Sequence, residues 1–283
     1  MSEVRIYTDK GNTTGCYEGI TPLSGGRIRV DQFNKSGVRQ ATFIYSEAEA
    51  RAHIEKMQLL LPTASWKDDF TGTTLDPTKW VTEPTNTPPN GELQAFTPGT
   101  KNIGVANSLL SITARKEAYG GKQYTSGKIT TKGLFEFTYG KIEARMKVPA
   151  GQGLWTAFWG MGNDVWEVGW PACGEFDVVE VINGDETAVG SLHAPNYDKS
   201  IWKKFPGLHN DFHVFSLDWT PGQFTWAVDD NVYAYQSYDK PYDHPFYLIL
   251  TLSVGGSWPG PPNSSTPFPS SLLVDWVKVT PHL

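Results

Sequence analysis

Apolar and polar residues alternate in short runs along most of the chain from Ser65 onward. Each run has the length of a β-strand, and the runs are separated by Gly, Pro, Asn and Asp, which form tight turns. No long stretch follows the 3.6-residue period of a helix. The runs predict strands within residues 109–117, 133–148, 174–182, 212–220, 224–236, 246–254 and 272–280.

Many short strands without intervening helices are typical of an antiparallel sandwich or barrel. Asp229 and Asp230 lie between two alternating runs and predict a hairpin turn. For a domain of about 220 residues we predict an all-β fold, an antiparallel β-sandwich of the jelly-roll type with a curved concave face, over residues 62–283.

The first 61 residues predict a separate small α+β segment, with strands followed by a helix. Ser46 and Glu49 have the spacing of a capping box, in which each residue caps the other's backbone N–H, and Pro62 ends the predicted helix. So small a unit buries little apolar surface. It carries no catalytic constellation, so we expect an accessory or packing module; glycan or partner binding is the alternative.

Tryptophan is abundant and unevenly distributed. The chain has 11 tryptophans, and all of them lie at Trp66 or later. Aromatic side chains fill the cores of sandwiches. Flat rings also stack on sugar faces in carbohydrate clefts, and we expect different tryptophans to serve each purpose.

Charge and cysteine content argue against several classes of function. The 30 acidic residues outnumber the 24 Lys and Arg, which argues against a nucleic-acid partner and an anionic substrate. No apolar run is long enough to span a membrane, and the polar start does not resemble a signal peptide. Two cysteines, Cys16 and Cys173, are too few for a disulfide framework or a zinc site, and spacing gives no reason to pair them.

Three carboxylates, Glu175, Asp177 and Glu180, interrupt an apolar strand, where charged side chains are costly. On a regular strand Glu180 faces away from the other two. A one-residue β-bulge between Asp177 and Glu180 would bring all three to one face. The glutamate side chains could then approach to the ~5–5.5 Å carboxyl separation of a retaining glycosidase. An exposed polar face or a cation site is the alternative.

The segments GEFDVVEVING and GLWTAFWGMG resemble glycoside hydrolase family 16, in particular its laminarinase-like endo-β-1,3-glucanases. The family pattern Glu-x-Asp-x-x-Glu is matched by Glu175, Asp177 and Glu180. The resemblance covers residues 65–283. Further segments in family order are FTGTTLDPTKW, NGELQAFT, YGKIEARMKVPAGQGLW, FHVFSLDWTPGQFTW, PFYLILTLSVGGSWPG and LLVDWVKV.

The resemblance implies retaining endo-hydrolysis of β-1,3-glucosidic bonds in glucans such as laminarin, without a catalytic cofactor. It assigns Glu175 as nucleophile, Asp177 as assisting residue and Glu180 as acid/base. Lichenase-type and xyloglucan-active relatives tend to lack the bulge, so the bulged motif favours β-1,3-glucan.

Sugar-binding residues are implied by position in the resemblance. Trp155 shares the face of Trp159 on one strand, although core packing is nearly as good an interpretation of it. The substrate-binding candidates are Trp159, Trp170, His193, Arg145, Asn90, Trp155 and Trp258. Residues 166–169 enlarge the loop before Trp170, which leaves the subsites open.

A structural Ca²⁺ on the convex side is also implied by the resemblance. Asp275 matches the side-chain ligand, with backbone carbonyls near Asp69 and Asn107 as the others. Oxygen ligands of this kind suit a hard cation.

The expected partner is therefore a β-glucan polysaccharide, with no nucleic acid and no membrane, for a monomer that the resemblance places outside the cell. The alternatives are the same mechanism on mixed-linkage β-1,3-1,4-glucan or another polysaccharide, such as agarose or carrageenan, and a non-catalytic β-glucan-binding protein. Sulfated substrates would require a basic cleft, for which Lys203 and Lys204 are the clustered candidates. Binding proteins of this fold commonly lack the catalytic glutamates, which this chain keeps.

Overall fold

The computed structural model describes residues 4–7, 17–22, 27–33, 39–46, 49, 65–238 and 241–282. The chain forms two compact units, Met1–Ser65 and Trp66–His282. Among the described residues, no helix has the length and apolar character needed to cross a membrane.

The first unit contains a four-stranded antiparallel sheet in sequential order. The described residues before the capping box form strands, as the sequence predicts. The backbone N–H groups of Ser46 and Glu49 donate to each other's side chains at 2.9 and 3.3 Å, as a capping box requires. The rest of the predicted helix lies outside the described residues. The strands are β1 Val4–Tyr7, β2 Tyr17–Pro22, β3 Arg27–Phe33 and β4 Arg39–Ser46.

The second unit is built almost entirely from strands. Its one helix in the described part of the chain is the four-residue α1, Val165–Val168. The strands are β5 Trp66–Asp68, β6 Val81–Thr82, β7 Gln94–Phe96, β8 Ile103–Ala106, β9 Leu109–Ala114, β10 Tyr124–Ser126, β11 Lys128–Thr130, β12 Gly140–Lys147, β13 Leu154–Gly162, β14 Glu175–Ile182, β15 Thr187–Ala194, β16 Tyr197–Lys204, β17 His213–Thr220, β18 Gln223–Val228, β19 Asn231–Ser237, β20 Phe246–Val254 and β21 Ser270–Thr280.

Two antiparallel sheets make up the sandwich, which confirms the predicted fold class. The seven-stranded sheet has the order β16-β15-β14-β13-β20-β11-β6, and the eight-stranded sheet has the order β19-β18-β17-β12-β21-β9-β8. The short strand β5 pairs with β21, and β7 pairs with β10 in parallel. Asp229 and Asp230 form the β18–β19 turn with positive φ at both residues, as a primed hairpin turn requires.

Aromatic side chains from both sheets fill the core between them. Phe176 of the seven-stranded sheet lies 5.6 Å from Trp219 and 5.8 Å from Phe224 of the other sheet, between ring centroids. Gly160 on β13 leaves room for the Phe176 ring, since a Cβ there would lie 2.3 Å from it. A fully buried Phe side chain contributes roughly 1.5–3 kcal/mol to stability.

The opposite face of the seven-stranded sheet is called the cleft face here. Along β20, alternate residues from Leu248 to Val254 belong to the core, so Tyr247, Ile249, Thr251 and Ser253 are on the cleft face. These four are at most 6% exposed although they face away from the core. The cleft face is therefore the floor of a recess whose walls come from neighbouring segments.

Candidate active site

A one-residue β-bulge interrupts β14 between Asp177 and Glu180, as the sequence predicts. Three steps along β14 match two steps along β15, and the pairing with β13 skips Val178 in the same way. Val178 and Val179 both pack in the core. The extra residue shifts the inward-outward alternation of β14 by one position. As a result, Glu175, Asp177 and Glu180 all lie on the cleft face.

The second sheet holds the bulge in place through a buried tryptophan. Trp226 on β18 donates a 2.8 Å hydrogen bond from Nε1 to the backbone carbonyl of Asp177. Its indole lies against Gly190 on β15, where a Cβ would be 2.4 Å from Nε1. Any larger residue at position 190 would displace the ring that fixes the bulge.

Glu175 accepts a hydrogen bond of 2.8 Å from Trp170 Nε1. The Tyr242 hydroxyl lies 3.0 Å from the backbone carbonyl oxygens of both Glu175 and His193, which ties β14 to β15. Burial and the charge of Asp177 raise the pKa of Glu175, whereas the His193 charge and the Trp170 bond oppose the rise.

Glu180 is held at both carboxylate oxygens. Trp155 Nε1 donates to Oε1 at 3.0 Å, and Ser191 Oγ lies 3.3 Å from Oε2. Burial, followed by the charge of Asp177, raises the pKa of Glu180 to about 8. A carboxyl group with this pKa carries a proton at neutral pH, as a general acid must.

His193 lies between two carboxylates. Its Nε2 is 3.3 Å from Oδ2 of Asp177, and its Nδ1 is 3.2 Å from Oδ1 of the largely exposed Asp198. Burial raises the pKa of Asp177, and the charge of Asp198 adds to the rise. The predicted His193 is thus placed beside the carboxylate cluster, and Asp198 is a neighbour that sequence reasoning missed.

The three carboxylates form one electrostatic unit. The charges of Asp177 and Glu180 both raise the pKa of Glu175, and the charge of Asp177 also raises the pKa of Glu180, so these groups do not ionise independently. Ligand atoms of Glu175, Asp177 and His193 lie within 4.8 Å of one another, the one such group in the described part of the chain. A proton held among the carboxylates would relieve the repulsion between them.

Trp159 forms part of the cleft floor, aligned with Asp177 across β13 and β14. The Lys128 ammonium lies 5.3 Å from its ring centroid, and Lys128 also pairs with Glu83 at 2.9 Å. The buried Trp159 Nε1 has no hydrogen-bond partner. An unsatisfied buried donor of this kind is suited to a ligand hydroxyl.

A row of tryptophans forms the wall beside Glu180. Trp155 makes an edge-to-face contact with Trp258 at 5.4 Å, and Trp258 makes another with Trp202 at 5.3 Å. Trp155 and Trp258 were predicted from the sequence. Trp202 was missed because the lysines around it on β16 hide the alternation of that strand.

Asn90 joins the same wall through the backbone. Its carbonyl accepts a 2.8 Å hydrogen bond from the N–H of Ser257, next to Trp258. The nearby Glu92 is buried and accepts a 2.6 Å hydrogen bond from Gln94, and burial raises its pKa. Glu92 was not predicted, because only the fold shows that it and Gln94 are buried together.

The loop before β14 forms the wall beside Glu175. Trp170 is 58% exposed, and Trp166 on α1 is 81% exposed. The Lys132 ammonium lies 4.4 Å from the Trp166 ring centroid. The enlarged loop therefore adds a second exposed ring to this side of the cleft.

Arg145 lies elsewhere, and the structure corrects its predicted role in the cleft. It belongs to β12 in the eight-stranded sheet, where its neighbours Ala144 and Met146 point into the core. Its guanidinium pairs with Asp275 at 2.6 Å and stacks over Phe212 at 4.7 Å. Strand alternation therefore directs Arg145 to the outside of the sheet that does not carry the carboxylates.

The surroundings of Asp275 match the implied calcium site only in part. β5 and β9 pair with β21 on either side of Asp275, which brings the segments near Asp69 and Asn107 towards it. However, Asp275 pairs with Arg145, and Asp69 pairs with Lys67 at 2.6 Å. The cationic partners weaken the attraction of a divalent ion, so calcium binding stays a prediction.

Cys173 is a free, buried thiol. Its sulfur is 3.4 Å from the sulfur of Met161, and burial raises the pKa of the thiol to about 11. Such a thiol is unreactive at neutral pH. Cys16 lies outside the described residues.

An antiparallel sandwich with paired glutamates on one bulged strand, in a recess walled by tryptophans, defines a glycoside hydrolase. Residues 90–278 match the family model described as glycosyl hydrolases family 16. The chain belongs to this family.

Individual relatives agree with this assignment. A Beta-glucanase from Rhodothermus marinus is 34% identical over 239 residues, which cover 76% of this chain and 83% of that protein. A Glucan endo-1,3-beta-glucosidase A1 from Niallia circulans is 34% identical over 76% of this chain, which spans only 37% of that longer protein. The catalytic domain of an endo-1,3-beta-glucanase (laminarinase) from Thermotoga petrophila RKU-1 superposes with a TM-score of 0.72 and 38% identity, covering 76% of this chain and 95% of that chain.

Proposed function

We propose that the chain hydrolyses internal β-1,3-glucosidic bonds of β-glucans such as laminarin, with retention of anomeric configuration. The observation that carries the proposal is the pair Glu175 and Glu180 on one face of the bulged strand β14, each with a tryptophan N–H on its carboxylate. The names of the similar proteins support β-1,3-glucan as the substrate.

The roles of the two glutamates follow from their match to the family motif. Glu175 attacks the anomeric carbon as a carboxylate, while Glu180 gives its proton to the glycosidic oxygen of the departing sugar. The covalent glycosyl-enzyme on Glu175 is then cleaved by water, and Glu180 accepts the proton of that water. This second step restores both groups to their starting states.

The surroundings of the two glutamates support acid/base chemistry at this site. A pKa of about 8 keeps Glu180 protonated at neutral pH before the first step. Asp177 lies between the glutamates and shares His193 with Asp198, so one proton or positive charge can be placed among them. Burial raises the pKa of Glu175 to about 8 as well, and the His193 charge opposes the rise at both glutamates, so the order of the two roles comes from the family motif and not from the pKa values.

The substrate is tested by incubating the purified chain with laminarin, barley mixed-linkage glucan, lichenan, agarose and carboxymethylcellulose, and separating the products by chromatography. We expect laminari-oligosaccharides of several lengths from laminarin, with slower or no cleavage of the other polymers. Cleavage confined to another polymer would overturn the β-1,3 assignment but would not contradict the proposed roles of Glu175 and Glu180. A folded chain inactive on all five would contradict the assignment as an enzyme of this specificity.

A further inference from the structure

Trp202 occupies a position that core packing does not explain. It lies on β16, one of the two edge strands of the seven-stranded sheet. Tyr197 and Ile201 of that strand pack against the core, so Trp202 is on the cleft face, where it is 52% exposed. Exposed lysines such as Lys203 are common on edge strands because they discourage further pairing. An exposed tryptophan does not serve that purpose.

The strand register places Trp202 in one row with the proposed acid/base. Trp202 pairs with Val189 on β15, and Val189 pairs with Glu180 on β14. Two strand spacings of about 4.8 Å separate β16 from β14, so the row spans roughly 10 Å. This distance exceeds the width of one sugar ring, and Trp202 therefore lies beyond the sugar whose glycosidic oxygen Glu180 protonates.

A continuous aromatic surface joins the two ends of this row. Trp155 donates its N–H to Glu180 and contacts Trp258, and Trp258 contacts Trp202. The interplanar angles are 88° and 87°, so successive rings alternate in orientation. Together with its exposure, this leaves the Trp202 ring available to a ligand that runs along the wall.

We propose that Trp202, together with Trp258, forms a subsite for a glucosyl unit on the β16 side of the cleaved bond. The apolar C–H face of a pyranose would pack on the indole, while its hydroxyls stay in water. This inference rests on the proposed function, because it takes β-glucan as the substrate. It predicts that long glucan chains are used better than short ones because of this one side chain.

The test compares the wild type with Trp202→Ala, Trp202→Phe and Tyr235→Ala on β-1,3-gluco-oligosaccharides of increasing length. Tyr235 is a matched control, since it is 64% exposed and lies on β19 of the other sheet. For Trp202→Ala we expect kcat/KM to fall by about tenfold, equivalent to ~1.4 kcal/mol, on long chains. The shortest chain that is cleaved should be unaffected, because it does not reach β16. Trp202→Phe should recover most of the loss, and Tyr235→Ala should match the wild type.

Three outcomes would overturn the inference. Equal kcat/KM for Trp202→Ala and wild type at every length would show that no sugar binds there, with the proposed function still standing. An equal loss at every length would show that Trp202 acts only by supporting Trp258, Trp155 and Glu180. Failure of the wild type to cleave any β-1,3-gluco-oligosaccharide would remove the proposed function and the subsite with it.

Discussion

The indole N–H of Trp155 donates a 3.0 Å hydrogen bond to Oε1 of Glu180. A donor of this kind favours the ionised carboxylate and opposes the burial that raises the pKa of Glu180. Trp155 therefore lowers the pKa of Glu180 and also forms part of the tryptophan wall that bounds the cleft.

Replacement of Trp155 by Phe should raise the pKa of Glu180 further, because the ionised form loses its donor. The first step requires a protonated Glu180, so activity should decline on the alkaline side as pH rises through about 8. In Trp155→Phe this decline should move to higher pH by up to about one unit, on the scale of a hydrogen bond to a charged group. The pH profile of kcat/KM on laminarin measures it, with Trp166→Phe as control. A shift to lower pH would contradict the argument.

Glu175→Gln should abolish turnover while the chain stays folded and still binds glucan. Loss of a nucleophile removes the covalent pathway, so we expect kcat to fall by more than about a thousandfold. The measurements are initial rates on laminarin, thermal unfolding and glucan binding. Glu167→Gln is the matched control, since Glu167 is exposed on α1. A rate above a tenth of the wild type in Glu175→Gln would rule out the assignment.

Glu180→Ala should slow both steps and should be partly rescued by azide. Azide needs no general base, so it can attack the glycosyl-enzyme that water attacks slowly. Retention requires the product to be the β-glycosyl azide, which NMR spectroscopy identifies. An α-glycosyl azide would show that azide displaces the glucan directly, so that either the reaction inverts or Glu180 is the nucleophile.

Ionisation of the buried Glu180 carboxyl should lower the free energy of unfolding at alkaline pH. Its pKa is raised from 4.5 to about 8, so the folded chain holds a proton that the unfolded chain releases in this window. The stability from that proton is complete below pH 4.5 and is lost as pH rises through about 8. Glu180→Gln should therefore match the wild type near pH 4.5.

At pH 8.5 the same variant should be more stable by at least about 1.4 kcal/mol, the equivalent of one pKa unit. Thermal unfolding at both pH values measures the difference. Glu167→Gln controls for the removal of a surface charge. Equal differences at the two pH values would show that Glu180 is not buried in its neutral form.

The calcium prediction can be tested through the pair formed by Arg145 and Asp275. If Asp275 binds Ca²⁺, added Ca²⁺ raises the Tm, and Asp275→Asn removes this effect. Arg145→Met should enlarge the effect, because the guanidinium no longer competes for the carboxylate. A Tm that is independent of Ca²⁺ in the wild type and in Arg145→Met would refute the site.

Alternation and turn residues were sufficient to predict the sandwich, because a strand with one buried face must repeat every two residues. Alternation did not predict strands that carry polar residues on both faces. β16 was missed since Lys199, Lys203 and Lys204 interrupt its pattern on an exposed edge, and its side chain Trp202 was missed with it.

The bulge illustrates what local sequence can establish. Glu175, Asp177 and Glu180 lie on one strand, so a single phase shift was the only local way to bring them together, and the structure contains it. Arg145 illustrates the limit, because its position in a motif did not reveal which of the two sheets would carry it.

By itself, the sequence determined the strand pattern, the three carboxylates on one strand and the family. Each depends on neighbours within a few residues or on a contiguous motif. Only the tertiary structure decided that Trp202 meets Trp258, that His193 lies between Asp177 and Asp198, and that Arg145 faces away from the cleft. Those contacts join distant segments, and sheet order and register, which long-range packing sets, bring them together.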